Sequence, residues 1–127
     1  MCVLYVQNIS KGWESSIAPM NLPRYRHALA AARGRVYACG GQKVDGRATA
    51  SVECYDPATD AWVEVAPMGR PRFSHAVAEH DGYLYVVGGF ASGKWLAAVE
   101  RYDPSTDQWM ELAELDSPIS APGLAVC

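Results

Sequence analysis

Apolar residues in this chain come in short runs, and the residues between the runs are those that turn a backbone. HALAAARGRVYACGG from His27 and HAVAEHDGYLYVVGG from His75 each hold an apolar run, a two-residue break and a second run that ends in a double glycine. The breaks, Arg33-Gly34 and Asp81-Gly82, suit tight hairpins because glycine accepts the positive φ such turns require. Further on, SVECYDPATDAWVEV and AVERYDPSTDQWMEL each set a Tyr-Asp-Pro turn signal between two more runs. There the Asp side chain can bond the backbone ahead of it and Pro presets φ. The pattern predicts four short strands per segment, about 26–31, 35–39, 50–55 and 61–65, then 74–79, 83–87, 97–102 and 108–112. No stretch sustains a helical period.

The two segments are copies of one unit. Pro19-Met20 recurs as Pro67-Met68, Pro23-Arg24 as Pro71-Arg72, His27-Ala28 as His75-Ala76, Tyr37 as Tyr85 and Gly40-Gly41 as Gly88-Gly89, each 48 residues on. Tyr55 and Trp62 recur 47 residues on as Tyr102 and Trp109, and Trp13 lies 49 before Trp62. A fixed period of this size marks solenoids and propellers. The chain accordingly divides into a non-repeat segment 1–12, the end of a preceding unit at 13–22, repeats at 23–66 and 71–113, and the start of a truncated further one at 114–127. Residues 1–12 lack the double glycine and the Glu-x-Tyr-Asp-Pro phrase that a full unit would place there, and read as a replaced beginning.

The same phrases raise a chemical alternative. Glu53, Asp56 and Asp60 beside one tyrosine and tryptophan, with Glu100, Asp103 and Asp107 beside another, could be two halves of an acid–base site. Repetition argues against it, since a base or nucleophile is needed once whereas a packing solution is copied. His27 and His75 are repeat equivalents for the same reason, and only His80 is unpaired.

Composition narrows the class. The chain has 127 residues, 50% hydrophobic and 20% charged, which suits one small, β-rich globular unit. The net charge of −3 comes from interspersed signs with no basic stripe, which argues against a nucleic-acid partner. No apolar run is long enough for a membrane span, and the first ten residues lack a signal peptide's basic flank, so the expected compartment is the cytoplasm, with cytoskeletal or nuclear association as variants. Cys2, Cys39, Cys54 and Cys127 show no Cys-x-x-Cys spacing and are expected as reduced core thiols, neither metal ligands nor a disulfide. The Asn8-Ile9-Ser10 sequon lacks a secretory signal to make use of it.

Four antiparallel strands repeated at this spacing fit a β-propeller blade. The double glycines, Tyr55 and Tyr102, and Trp62 and Trp109 resemble the Kelch repeat, and the fuller pattern APM, PR, HA, G-x-VY, GG, SVE-x-YDP-x-T and W resembles the Kelch domains of BTB-Kelch proteins. The resemblance covers residues 13–127. It implies an all-β fold, a partial Kelch β-propeller of about two and a half four-stranded antiparallel blades. It also implies a protein-interaction module that recruits substrates to a cullin-RING ubiquitin ligase through a BTB domain that this sequence does not contain. An actin-binding cytoskeletal scaffold is the alternative, and a copper oxidase built on a Kelch-like propeller a remote one. No catalytic or metal constellation can be assembled from the residues present and no cofactor is expected; the reading is of a binding protein and not an enzyme.

In that frame each conspicuous residue acquires a place. Tyr55, Trp62, Tyr102 and Trp109 supply the apolar faces by which blades stack. Gly40, Gly41, Gly88 and Gly89 suit a sharp bend or close backbone approach at a strand end. The resemblance implies that partner peptides dock on the loops after each double glycine and after each Ala-Pro-Met, here Gln42–Ala48, Phe90–Trp95, Asn21–Arg26 and Gly69–Ser74. Tyr25, Arg26, Gln42, Lys43, Phe73, Ser74, Phe90 and Ser92 are the candidate binding residues. Guanidinium groups at Arg24, Arg26, Arg70 and Arg72 could pair with an acidic peptide, although Arg24 and Arg72 recur and are at least as well explained structurally. Arg26 faces Ser74 and Gln42 faces Phe90 in the other copy, so specificity is expected where the copies diverge. Two and a half blades leave faces and strand edges uncovered. Residues 1–127 on their own are therefore expected to aggregate, oligomerise or stay partly unfolded.

Overall fold

The computed structural model describes residues 18–116, together with the backbone of β1 (Val6–Asn8) and β2 (Gly12–Glu14), which pair antiparallel. Predicted features at Cys2, Cys127, the sequon and most of 114–127 lie outside the described residues. One blade is built of β3 (Ala28–Ala32), β4 (Arg35–Cys39), β5 (Val52–Asp56) and β6 (Ala61–Val65), hydrogen-bonded in chain order. The other holds β7 (Ala76–His80), β8 (Tyr83–Val87), β11 (Val99–Asp103) and β12 (Gln108–Glu111) in the same antiparallel meander. Between β8 and β11 lies a small hairpin, β9 (Phe90–Ala91) with β10 (Lys94–Trp95). β3 packs against β7, which makes these the inner strands and leaves β6 and β12 at the outer rim.

Three details depart from the sequence pattern, the first being that β5 and β11 start at Val52 and Val99, two residues after the expected 50 and 97. The inner strands begin two residues later than expected, at Ala28 and Ala76, because Arg26 (φ 51°) and Ser74 (φ 55°) adopt the left-handed conformation and break the extended run. The β9–β10 hairpin stands where the sequence pattern predicts plain loop. Its turn, Ser92 (φ 51°) and Gly93 (φ 78°), has positive φ at both central residues. Arg33 and Gly34 (53°, 77°) and Asp81 and Gly82 (51°, 82°) repeat that geometry at the two predicted hairpins, as the twist of paired strands favours. In the Tyr-Asp-Pro turns, Asp56 Oδ1 accepts the Ala58 N–H at 3.0 Å and Asp103 Oδ1 that of Ser105 at 2.9 Å.

The main core lies between the blades. Tyr37, Cys39, Val52 and Cys54 of the first blade meet Leu84, Val86 and Tyr102 of the second, with Met68 from the connecting segment. Tyr37 and Tyr102 touch edge to face at 5.6 Å. Burial, with a hydrogen bond to the Cys54 thiol, pushes the Tyr37 phenol up to about 12. Tyr102 pairs with Trp109 across β11 and β12, and Tyr55 with Trp62 across β5 and β6.

Polar ties fasten each blade to the segment before it. Asp107 Oδ1 accepts the Tyr102 hydroxyl at 2.7 Å and the Ala66 N–H at 2.9 Å, while Trp109 Nε1–H donates to the Ala66 carbonyl at 2.8 Å. The other copy is the same: Asp60 Oδ1 takes the Tyr55 hydroxyl at 2.6 Å and Ala18 N–H at 2.9 Å, and Trp62 Nε1–H bonds the Ala18 carbonyl at 2.7 Å. Glu53 and Glu100 hold Arg24 and Arg72 at 2.7 and 2.6 Å. Both guanidinium groups are fully buried and also donate to carbonyls, Arg24 to Ser51 at 2.7 Å and Arg72 to Gly88 and Ala98 at 2.9 Å. Buried charge is tolerated here because it is paired and hydrogen-bonded. Arg24 and Arg72 are therefore structural, with no surface left to offer an acidic peptide.

Candidate functional site

The double glycines decide where the loops lie. Gly40 and Gly41 have φ of 64° and 111°, Gly88 and Gly89 of 68° and 97°. A Cβ on Gly41 would stand 2.7 Å from the Tyr25 carbonyl oxygen, and one on Gly89 2.9 Å from that of Phe73. Glycine thus permits a close crossing of two backbone segments. Tyr25 and Gln42 exchange both backbone bonds, at 2.9 and 2.7 Å, and Phe73 and Phe90 do so at 3.1 and 2.8 Å. Ser74 N–H donates to the Arg26 carbonyl at 2.9 Å, joining the two copies.

These bonds gather the candidate residues at one end of the blades. Arg26 lies over the Phe73 ring at 6.0 Å, Phe73 meets Phe90 at 5.4 Å, and Phe90 meets Trp95 edge-on at 4.9 Å. Gln42, Phe73, Phe90 and Ser92 line a cleft of about 520 Å³, with Arg47 and Pro71. Tyr25 is 47% exposed on its flank. Arg26, Lys43 and Ser74 belong to the same loops without lining the cleft, and Lys43 Nζ lies 3.9 Å from Asp45. The Gln42 side chain is turned back on its own loop, donating to the Gly46 carbonyl at 2.9 Å.

Arg47, Pro71 and Trp95 were not singled out by sequence. They fall inside the loops that the family resemblance marks out, and a tryptophan in such a loop is the signal legible in the sequence. Trp95 is 49% exposed.

The titratable groups nearby are arranged for packing. His75 is 5% exposed beneath Gly40 and Gly89, and its ring nitrogens make no full hydrogen bond among the described residues, only a backbone contact at Cys39 that favours the protonated ring and is outweighed. Burial, then the Arg72 guanidinium, then His27 hold its pKa down at about 3. His27 is lowered for the same leading reason, and burial pushes the Cys39 thiol up to about 12. Cys39 and Cys54 are buried free thiols. Among the described residues no three His, Cys, Asp or Glu side chains are grouped to hold a metal ion, and no helix is long and apolar enough to cross a membrane.

Comparison with known proteins turns on the same units. The profile of the Kelch motif matches residues 23–69 and 71–115, the two blades just described. The chain belongs to the Kelch-repeat family. It is similar to an F-box/kelch-repeat protein of Arabidopsis thaliana, 44% identical over 48 residues, which are 38% of this chain and 13% of that protein. It is also similar to beta-scruin of Limulus polyphemus, 36% identical over 58 residues, 46% of this chain and 6% of that one. The chain thus spans a small part of the length of these curated relatives. Among solved structures it superposes on YjhT with a TM-score of 0.70 at 23% identity, over 87% of this chain and 43% of the other, a likeness that shows the fold.

Proposed function

We propose that this Kelch-repeat unit is a protein-interaction module whose loop end takes an acidic segment of a partner protein. One observation carries the reading: Gln42 and Phe90, which occupy equivalent positions and differ between the two copies, line a single cleft together with Phe73 and Arg47. Aromatic anchors beside guanidinium groups are what hot spots are made of, and Arg26, Lys43 and Arg47 put positive charge at this end. The likeness to BTB-Kelch proteins suggests the role: substrate recognition for a cullin-RING ubiquitin ligase, with the cullin contacted through a BTB domain outside this sequence.

Affinity purification tests the reading. The parent sequence and a variant carrying Arg26→Glu, Arg47→Glu and Phe90→Ala are used as baits, and loss of the parent's partners from the variant is the expected result. Partners retained undiminished would overturn the assignment of this face. Co-sedimentation with filamentous actin that the same substitutions abolish would move the function to a cytoskeletal scaffold.

A further inference from the structure

At the outer rim, the segment leading out of β6 and the strand β12 bound a second groove, of about 810 Å³, lined by Gly69, Arg70, Glu100, Asp107, Trp109 and Glu111. The two copies differ at this groove. Asn21 stands in the first unit where Gly69 stands in the second, and Asn21 Nδ2 donates to the Trp62 carbonyl at 3.2 Å, bridging the corresponding gap. Gly69 has no side chain to do this, and Trp109 is partly exposed where Trp62 is buried. The next position also differs: Leu22 is replaced by Arg70, which reaches across to Glu111 at 3.0 Å.

The charges in this groove are not balanced. Glu100 is committed to Arg72 in the interior, and Arg70 alone faces Asp107 and Glu111. The Arg70–Glu111 pair is about half exposed on both sides, at 46% and 56%, so its cation is one that a solvent-borne group can replace. An indole wall next to carboxylates suits a long cationic side chain, whose methylene stem packs on the ring while its head finds the acid.

We propose that this groove binds an arginine side chain of a partner peptide, which displaces Arg70 from Glu111 and lies along Trp109. The site is separate from the loop end, and its ligand has the opposite charge.

The probe is a blocked Gly-Arg-Gly tripeptide, titrated against the chain while the Trp109 indole N–H resonance, assigned with Trp109→Phe, is followed by NMR. A saturable shift is expected, absent with Gly-Glu-Gly. Gly69→Asn restores the side chain of the first unit; Asn21 N–H meets Glu53 Oε1 at 2.7 Å much as Gly69 N–H meets Glu100 Oε1 at 2.6 Å, although a Cβ at position 69 would stand 2.9 Å from Glu100 Oε1, so that carboxylate must give way slightly. That variant should bind at least about tenfold more weakly, and Arg70→Ala about threefold more tightly because the competing cation is gone. Glu111→Gln leaves the backbone untouched and should weaken binding at least about threefold, which keeps the test decisive if Gly69→Asn folds poorly. No saturable shift, equal response to Gly-Glu-Gly, or affinity unchanged in both Gly69→Asn and Glu111→Gln would overturn the proposal. A Lys-containing tripeptide binding more tightly than Gly-Arg-Gly would overturn the choice of arginine.

Discussion

Acidification drives a proton toward His75, and in the folded blades burial and the Arg72 cation oppose it. The ring is 5% exposed, its one favourable contact is with the Cys39 backbone, and the Arg72 cation repels a proton there. Its pKa is lowered from 6.5 to about 3 in the fold. A depressed histidine binds protons more readily in the unfolded chain, so its effect on stability is nil above about pH 6.5 and grows as pH falls toward 3. With those two pKa values, protonation of the unfolded state removes about 2 kcal/mol near pH 5 and about 3 kcal/mol near pH 4. Burial is nearly complete, so solvent screening does not discount the figure. Urea unfolding between about pH 8 and pH 4, for the parent and for His75→Gln, isolates the effect, because the carboxylates contribute to both proteins alike and His27 acts on His75 only as the least of the charges that lower it. The parent should lose about 2 kcal/mol more than the variant by about pH 5. Parallel pH profiles, or a His75 ring proton titrating near 6.5 in NMR, would refute the reasoning.

Two further outcomes follow from the interior. Glu100→Ala leaves the Arg72 guanidinium buried without its counter-ion and should cost about 3–5 kcal/mol in chemical unfolding, while the double variant with Arg72→Met should recover more than half of that; a double variant as unstable as the single one would contradict the pairing argument. Gly89→Ala and Gly46→Ala both place alanine at positive φ, 97° and 86°, costing about 1–3 kcal/mol each from the backbone. Only at Gly89 does the new Cβ also strike His75 and Phe73, at 2.8 and 2.9 Å, so its melting temperature should fall distinctly further.

The frame of this fold was written in residues that recur. Tyr55 with Tyr102 and Trp62 with Trp109 announced blade stacking, and Asp81-Gly82 announced its hairpin, because one local conformation or one buried ring dictates each. What escaped the sequence depended on partners distant in the chain or on single backbone angles. The Glu53–Arg24 pair joins residues 29 apart, and no local pattern relates them. The left-handed turn at Arg26 and Ser74 sits inside a run whose polarity reads as strand, which sets the expected starts of β3 and β7 two residues early. Gathering of the candidate loops is legible only through the family likeness; Trp95 carries a signal of its own as a loop tryptophan, while Arg47 needs the cleft itself to be noticed. The rim groove was visible as the Asn21/Gly69 and Leu22/Arg70 disagreements, yet nothing in sequence says that a missing side chain leaves a space.

The tie at Ala66 bears on how such a chain can lengthen. A copied stretch of 47 or 48 residues carries, near its end, the indole and carboxylate that reach back to the preceding segment, and just beyond them the backbone position that the following copy's indole will grasp. Each duplicate therefore arrives with both halves of the fastening, one facing each neighbour. Genetic duplication in this register can add a blade without any compensating change in the blades beside it, leaving loop residues free to diverge from the first generation onward.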